Sequence, residues 1–581
     1  MIGRQITRAT LRGAQRRLNP SISSLRSPQV CVMGSKPYFT KPNLPISSMV
    51  SNRLLSASAT AAGSGSFDYD RWTTDFLKEV ENVPGATDPS QSSQALRSLV
   101  KSGVLRFTDM KDNPEKFFMA HRLLSSVGLG GFGIRFTVQF NLFAGSIVGL
   151  GGPEQIKMLD DIQQKGQLGC FLLTEMQAGV LSGLIVETTC DWDEESQQFI
   201  LHTPSDKAAK NWISQGYTAE LGVVIADLRI KGKSHGPHAF HMRLRDDNGN
   251  LCEGIRIDDM GTKTIANDLD NARVWFDQVK LPKEALLNKF ADISDDNNYV
   301  QTTDEKMRIE VIGQRLLTGR MAIAEAALLS ARVLHMRTEA YAKNKVCNGL
   351  NGETSLASMP QVAAVFKESY AEIDRMIGFV AAIEEKLNKC LKEGTIPDPE
   401  LVDAISVCKI QAIDVSIARC HALRLEVGSY ALMHKTGFEL MDMLLCCKFA
   451  EGDSRILQMK LMRDRLKKVK KDGVAGTLSQ VFGNDGTEAI KALMLANKLN
   501  VGRDLAKMEK AMNDNWEEVY ELARIVEQRH INSTPPSSFI EPITERFSPA
   551  EVYYDLGWKD KVVTGAPAAV AAEEEKGAGA A

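Results

Sequence analysis

The segment CCKFAEGDSRIL, residues 446 to 457, places one carboxylate, Glu451, between an apolar run and a glycine. Asp453 or Ser454 just after it can cap a helix. Ile456, Met459, Met462 and Leu466 then recur at steps of three and four, and acids suit the positive end of a helix dipole. Glu451 lies before that cap and after MDMLLCCKFA, whose apolar residues suggest burial. A carboxylate there is paired, exposed on the turn, or enclosed in an apolar pocket where its pKa rises and it can act as a base. Arg320 raises a matching question. In RIEVIGQRLLTGRMAIAEAALLSARVL, residues Ile309, Ile312, Leu316, Arg320, Ile323 and Ala327 follow helical steps, so a guanidinium interrupts an apolar stripe. Such a charge needs either an internal acid or an anionic or carbonyl-bearing ligand.

Two other patterns carry less chemistry. Gly128, Gly130 and Gly133 in GLGGFG have the GxGxxG spacing. A dinucleotide fingerprint must follow a strand, whereas the preceding PEKFFMAHRLLSSV reads as helix. His235, His238 and His241 in HGPHAFH could suggest a metal, but on a strand His238 and His241 point to opposite faces and no acid or cysteine completes a set. Structural or exposed histidines are expected, and no metal.

The elements that must position Glu451 and Arg320 come from a chain of 581 residues, too long for one compact core. A net charge of −3 argues against a nucleic-acid partner. The 43% hydrophobic content without an apolar run near membrane-spanning length argues for a globular chain with no membrane span. Ten cysteines without a CxxC pair fit free thiols in a reducing compartment. Residues 1–67 hold nine Lys or Arg and no acid before Asp68, with Arg4, Arg8, Arg12 and Arg16 at four-residue steps. This predicts a mitochondrial presequence, with peroxisome or plastid as lesser alternatives. The closing AAEEEKGAGAA is low-complexity and does not end in a Ser-Lys-Leu type of tag.

Along the body, FLKEVEN, SQALRSLVKSGVL and PEKFFMAHRLLSSV predict helices leading into FTVQFNLFAGSIVGL. From QQFILHTP through LGVVIADLRI and HAFHMRLRDDNGN to ARVWFDQVKLP the texture is short strands and turns. Helical periodicity then returns and persists to about residue 530. The expected fold is α+β, mainly α. Its parts are a presequence and linker over 1–67, a helical domain over 68–168, a β domain over 169–295, a helical bundle over 300–470, further helices over 471–560, and a tail over 561–581.

Several long motifs in order carry a resemblance to a known family: VQFNLFAGSIVGLG, GCFLLTE, ETTCDWDEESQQFILHTPSDKAAKNWIS and GIRIDDMGTKTIANDLDNARVWFDQVKLPKEALLNKF. Over about residues 90 to 470 the chain resembles the flavin-dependent acyl-CoA oxidases, which are similar in fold to acyl-CoA dehydrogenases. The resemblance implies a four-helix bundle, flavin adenine dinucleotide (FAD) between the β domain and the bundle, and a homodimer or homotetramer. It implies that Thr174 hydrogen-bonds the flavin ring, that Trp212 and Ser214 flank it, and that Gln361 contacts flavin. Glu451 matches the base that takes the α-proton of a fatty acyl-CoA, giving the trans-2-enoyl-CoA of fatty acid β-oxidation. Arg320 falls near bound acyl-CoA, which favours the ligand alternative. The acceptor would be molecular oxygen or an electron-transfer flavoprotein.

The chain departs from the family in three places. After LLTE, a Gly-Ser-Asn or Gly-Ser-Asp becomes Gly179-Val180-Leu181. The Arg-x-x-Phe-Gly that reaches flavin pyrophosphate from a neighbouring subunit becomes AYAKNKVCNG, where Lys343 could supply charge. A Gly-Gly motif before the base is reduced to VGSYALMHKTG. These leave two alternatives to acyl-CoA desaturation: a family member with altered chemistry that serves as a binding or scaffold subunit, and a flavoenzyme acting on another substrate.

Overall fold

The computed structural model describes residues 68–80, 83, 88–127, 130–179, 185–303, 314–350, 352–433, 436–482, 486–500 and 505–537. The basic stretch 1–67, Ile309, Ile312, Val180, Leu181 and the tail lie outside these residues. Helices come first: α1 (Tyr69–Glu79), α2 (Pro89–Ser102), α3 (Asp109–Asp112), α4 (Pro114–Val127) and α5 (Gly130–Thr137). A π-helical stretch, Val138–Ala144, continues α5 directly into α6 (Gly145–Leu150), and α7 (Pro153–Lys165) follows. Asp68 and Asp88 cap α1 and α2 with their side chains. Because α5 follows another helix and no strand, the GxGxxG spacing is no dinucleotide fingerprint.

The central strand of the β layer is β5 (Leu221–Ile230), whose LGVVIADLRI is buried along almost its whole length. Strand β1 (Gly169–Leu172) pairs in parallel with its first half, and β2 (Thr189–Asp193) with its second half on the same edge. Strand β6 (Lys233–Arg243) covers the other edge, and β3 (Gln198–His202) and β9 (Val279–Pro282) extend the sheet beyond β2. The loop from Leu173 to Thr188 therefore leaves and rejoins one edge of β5. A second sheet holds β4 (Lys210–Ser214), β8 (Asn271–Phe276) and β7 (Ile255–Asp259), and a small hairpin pairs β10 (Ala291–Ile293) with β11 (Tyr299–Gln301).

Helix α8 (Gln314–Asn344) returns the chain to helical structure. A hairpin of β12 (Val346–Gly349) and β13 (Gly352–Ser355) leads into α9 (Pro360–Glu393) and α10 (Pro399–Glu426). Gly394 ends α9 in the left-handed region, and Asp398 caps α10 by accepting from the Leu401 amide, so the GTIPDPE loop is a stop and a start. Next come α11 (Met441–Cys447), α12 (Ser454–Leu478), α13 (Gly486–Lys498), α14 (Leu505–Asp514) and α15 (Trp516–Ser533). Helix α8 packs along α10, α9 and α4, while α15 packs on α12 and α10. Glu527 of α15 is buried between α10 and α12, accepting hydrogen bonds from Gln411 (2.5 Å) and Gln458 (3.0 Å). The fold is α+β and mainly α, as the sequence predicts. Among the described residues no helix is long and apolar enough to cross a membrane.

Buried charges join the layers. Arg122 of α4 donates to Glu325 of α8 (2.7 Å) and Glu384 of α9 (2.8 Å). Burial and the second acid push the Glu325 carboxyl well up, so the three groups share fewer charges than their number suggests. Arg135 of α5 reaches Asp270, at the foot of β8, at 2.8 Å. Lys210 of β4 donates to Glu175 (3.0 Å), the Ile225 carbonyl (2.7 Å) and the Leu173 carbonyl (3.3 Å). Glu175 in turn accepts from the Glu187 and Thr188 amides. Replacing Lys210 with Met is expected to cost about 3–5 kcal/mol, because it leaves Glu175 charged and enclosed. Urea unfolding checks this. A cost below 1 kcal/mol would show that the Glu175 amide partners suffice alone.

Candidate active site

Glu451 sits in the turn between α11 and α12. Asp453 caps α12 by accepting from the Arg455 amide (2.7 Å). The turn is stapled from α10 by Lys409, whose Nζ donates to the Lys448 carbonyl (2.7 Å), the Gly452 carbonyl (2.7 Å) and Ser454 Oγ (3.1 Å). From α8, Arg320 Nε donates to the Glu451 carbonyl at 2.9 Å. These bonds hold Glu451 at φ 56° and Gly452 at φ 101°. The left-handed region costs a residue with a Cβ about 1–2 kcal/mol, so Glu451 persists there only because its neighbours over-determine it.

The carboxylate lies against Gly319 of α8, where any methyl group would overlap it. Its Oε2 is buried with no hydrogen-bond partner. Burial raises the Glu451 pKa to about 7, against the opposing influence of Arg320 and then Lys409. Burial also draws Lys409 down to about 7 and Arg320 down to about 10. Of the three sequence alternatives for Glu451, the geometry is that of enclosure: an acid poised near neutrality with one oxygen free to accept a proton. Arg320 itself stands beside the most buried stripe of α8, which runs through Leu317, Met321, Ala324 and Leu328, one residue out of step with the predicted stripe.

A second group forms where β1 gives way to its loop. The Asn211 amide donates to the Thr174 carbonyl at 2.8 Å, tying the LLTE motif to β4. A register shift between Lys210 and Ile213 turns Trp212 outward, with φ 58° and 57% of its surface exposed. Ser214 Oγ accepts from Asn271 (3.1 Å), leaving its own O–H to donate elsewhere. Thr174, Trp212 and Ser214 are thus brought together by the Glu175–Lys210 core beneath them.

Lys343 is placed apart from the Glu451 turn, which α8 meets at Gly319 and Arg320. Lys343 is in the last turn of α8 and pairs with Glu339 at 2.8 Å, and Gln361 is exposed near the start of α9. Arg320 and Lys343 are separated by roughly 35 Å of helix at 1.5 Å per residue. The histidines of β6 serve structure: His238 bonds the Gly236 carbonyl (2.9 Å) and Tyr299 (3.3 Å), while His235 stacks on Tyr299. Among the described residues no His, Cys, Asp and Glu group could hold a metal. A cleft lined by Tyr69, Glu115, Met119, Arg122 and Glu384 shares no residue with the Glu451 site.

Three residues escaped the sequence reading: Lys409, Gly319 and Glu175. Lys409 had left a signal, a single cation inside the apolar run AISVCKIQAI, whose Val407, Cys408, Ile410 and Ala412 are all buried. Gly319 and Glu175 owe their importance to contacts distant in sequence, which no local pattern carries.

No protein-family profile matches the chain. It is 33% identical over 241 residues to the peroxisomal acyl-coenzyme A oxidase 3 of Arabidopsis thaliana, a match over 40% of this chain and 35% of that protein. It is 27% identical over 440 residues to the peroxisomal acyl-coenzyme A oxidase 2 of the same plant, over 71% of this chain and 61% of that protein. The matched regions therefore span less than two thirds of these relatives. In fold it is similar to acyl-CoA oxidase-2 of Caenorhabditis elegans, solved with FAD, ascaroside-CoA and ATP, with a TM-score of 0.65, 20% identity and coverage of 80% of this chain and 75% of that one. The resemblance to flavin-dependent acyl-CoA oxidases and dehydrogenases holds in sequence and in fold. The mitochondrial address expected from the basic residues 1–67 is corrected by the same relatives, both named as peroxisomal. A basic, acid-poor stretch is a compositional signal, and composition does not identify the receptor that reads it.

The Glu451 geometry makes a claim about stability. A carboxyl whose pKa is raised in the fold contributes stability that is complete below its unfolded pKa and is lost as pH rises through about 7. Glu451→Gln imitates the protonated form and keeps that stability. The variant is expected to match the parent near pH 5 and to exceed it by up to about 3 kcal/mol at pH 8. Denaturant midpoints at the two pH values check this. A variant less stable at pH 8 would mean that the carboxylate is a paired ion.

Proposed function

We propose that this chain is a flavin-dependent acyl-CoA oxidase: it takes the α-proton of a fatty acyl-CoA onto Glu451 and yields the trans-2-enoyl-CoA. The observation that carries the reading is the Glu451 carboxylate, enclosed against Gly319 with Oε2 unpartnered and its pKa near 7. An acyl thioester α-hydrogen is weakly acidic, so its removal at neutral pH needs a desolvated and aligned base. Lys409 and Arg320 supply the alignment by fixing the turn through its carbonyl oxygens. They also hold positive charge close enough to keep the carboxylate from being protonated outright.

The residues at β1 and β4 fit a flavin ring. Trp212 offers an outward aromatic face, Ser214 has a hydroxyl proton to give, and Thr174 is tied to β4 where the loop leaves β1. When bound, the FAD would accept the hydride from the β-carbon. Lys343, at the far end of α8, and Gln361, exposed at the start of α9, fit a role toward the flavin of a neighbouring subunit in a homodimer or homotetramer. Molecular oxygen is the acceptor that oxidase relatives suggest, and the peroxisome the compartment.

The test is direct. The purified protein, supplied with FAD, is expected to be yellow and to bleach anaerobically with acyl-CoA, and to produce hydrogen peroxide in air. Glu451→Gln is expected to slow bleaching by at least about a thousandfold without loss of flavin. The parent's rate should rise with pH through about 7, where Glu451 loses its proton, and then level off. Lys409→Met should lower kcat with little change in KM, since Lys409 touches only the turn. A colourless protein that takes up no FAD would sink the oxidase reading and favour the binding-subunit alternative.

A further inference from the structure

One buried cation remains unused by this chemistry. Arg315 lies four residues before Gly319 on α8, so the two share a helix face one turn apart. Gly319 is the residue on which the Glu451 carboxylate rests. The Arg315 Cα thus lies about 6 Å along the helix axis from that of Gly319.

Its surroundings are built for it. The side chain lies across Gly145 and Gly149 of α6: a methyl on Gly145 would meet Arg315 Cδ at 3.3 Å, and one on Gly149 would meet Nε and Nη2 at 3.3 Å. Asn141, just before these glycines, donates from Nδ2 to the Arg315 carbonyl at 2.9 Å. That bond fixes the amide so that Asn141 Oδ1, buried beside Gly145, is left with no partner. Among the described residues no acid pairs with the Arg315 guanidinium. Burial is the cause that pulls its pKa down to about 10, with no neighbouring charge opposing it. Arg315, Arg320 and Glu451 each keep part of their surface accessible even though burial governs their ionisation.

An enclosed guanidinium without an acid is costly unless a ligand completes it. A hydrocarbon chain laid along this face would leave the cation unpaired. We propose that the acyl site prefers a short acyl-CoA whose far end carries a carboxylate, received by the Arg315 guanidinium while Glu451 addresses the α-carbon. This rests on the acyl-CoA reading above and names its substrate class. Arg315 is then a specificity-determining residue, and a carboxylate is the group its planar fork pairs with best.

The experiment compares adipoyl-CoA with hexanoyl-CoA, which differ in a terminal carboxylate against a methyl. The FAD-loaded Glu451→Gln protein, slow to turn over, allows binding of each to be measured by calorimetry. Adipoyl-CoA is expected to bind at least about tenfold more tightly, and Arg315→Leu to erase or reverse that ratio while hexanoyl-CoA binding holds. Arg315→Lys should keep part of the preference, which guards against a folding defect in the leucine variant. Equal binding of the two thioesters by the parent would overturn the proposal, as would an equal loss of both in Arg315→Leu. If Arg315→Leu instead releases FAD on gel filtration, the anion served is the flavin's pyrophosphate and the proposal fails. Binding of neither thioester by a yellow protein would overturn the acyl-CoA reading, and this inference with it.

Discussion

Everything around the candidate site follows from one constraint: a carboxylate must be kept out of water, near its neutral point, with an oxygen unspent. Removing an acid from water favours its protonated form, and pairing it with a cation favours its charged form. The Glu451 turn sits between those extremes. Its carboxylate touches a glycine and has no hydrogen bond to Oε2, while the nearby cations spend their donors on backbone carbonyls of the same turn. A direct Arg320–carboxylate bond would have held the acid charged and weak as a base. By bonding to the carbonyl instead, Arg320 fixes position and moderates charge from a distance.

The same device recurs beneath the group at β1 and β4. Lys210 is enclosed beneath β4, and its ammonium gathers two backbone carbonyls together with Glu175. Lys409 gathers two carbonyls and a hydroxyl. In each case a compact cation with three donors pins irregular backbone that no sheet or helix ladder could hold. The cost is a buried ammonium, visible as a lowered pKa in both lysines. Precise loops on rigid elements come from such pins, since loops alone are the mobile part of a fold.

The sequence made the layered fold legible because each layer has its own period: helical steps in the first and last parts, and short strands with turns between. It made Glu451 legible because an acid beside an apolar run is anomalous. Arg320 was visible for the same reason, although its predicted stripe is one residue out of step, since α8 is packed against α4, α9 and α10 and is buried on several sides. A helix with several buried faces carries no single apolar stripe for a sequence to display. Gly319 could not be read at all. Its significance is a contact with a residue more than a hundred positions away, and a lone glycine in a helix is by itself only a mild destabiliser.

Helix α8 emerges as the axis against which the rest is placed. Along its length it carries Arg315 against α6, Gly319 and Arg320 at the Glu451 turn, Glu325 in the buried group with Arg122 and Glu384, and Lys343 at its far end. Its rise fixes their separations, so any movement of α8 would shift all of them together. Arg122 resists such movement, because sliding α8 past α4 would strip a buried guanidinium of Glu325, one of its two acids. The packing of the first helices thus bears on the placement of Glu451 through a charge that is not among its contacts. Residues that set the rate in such a fold need not touch the substrate, provided they hold the helix that carries those which do.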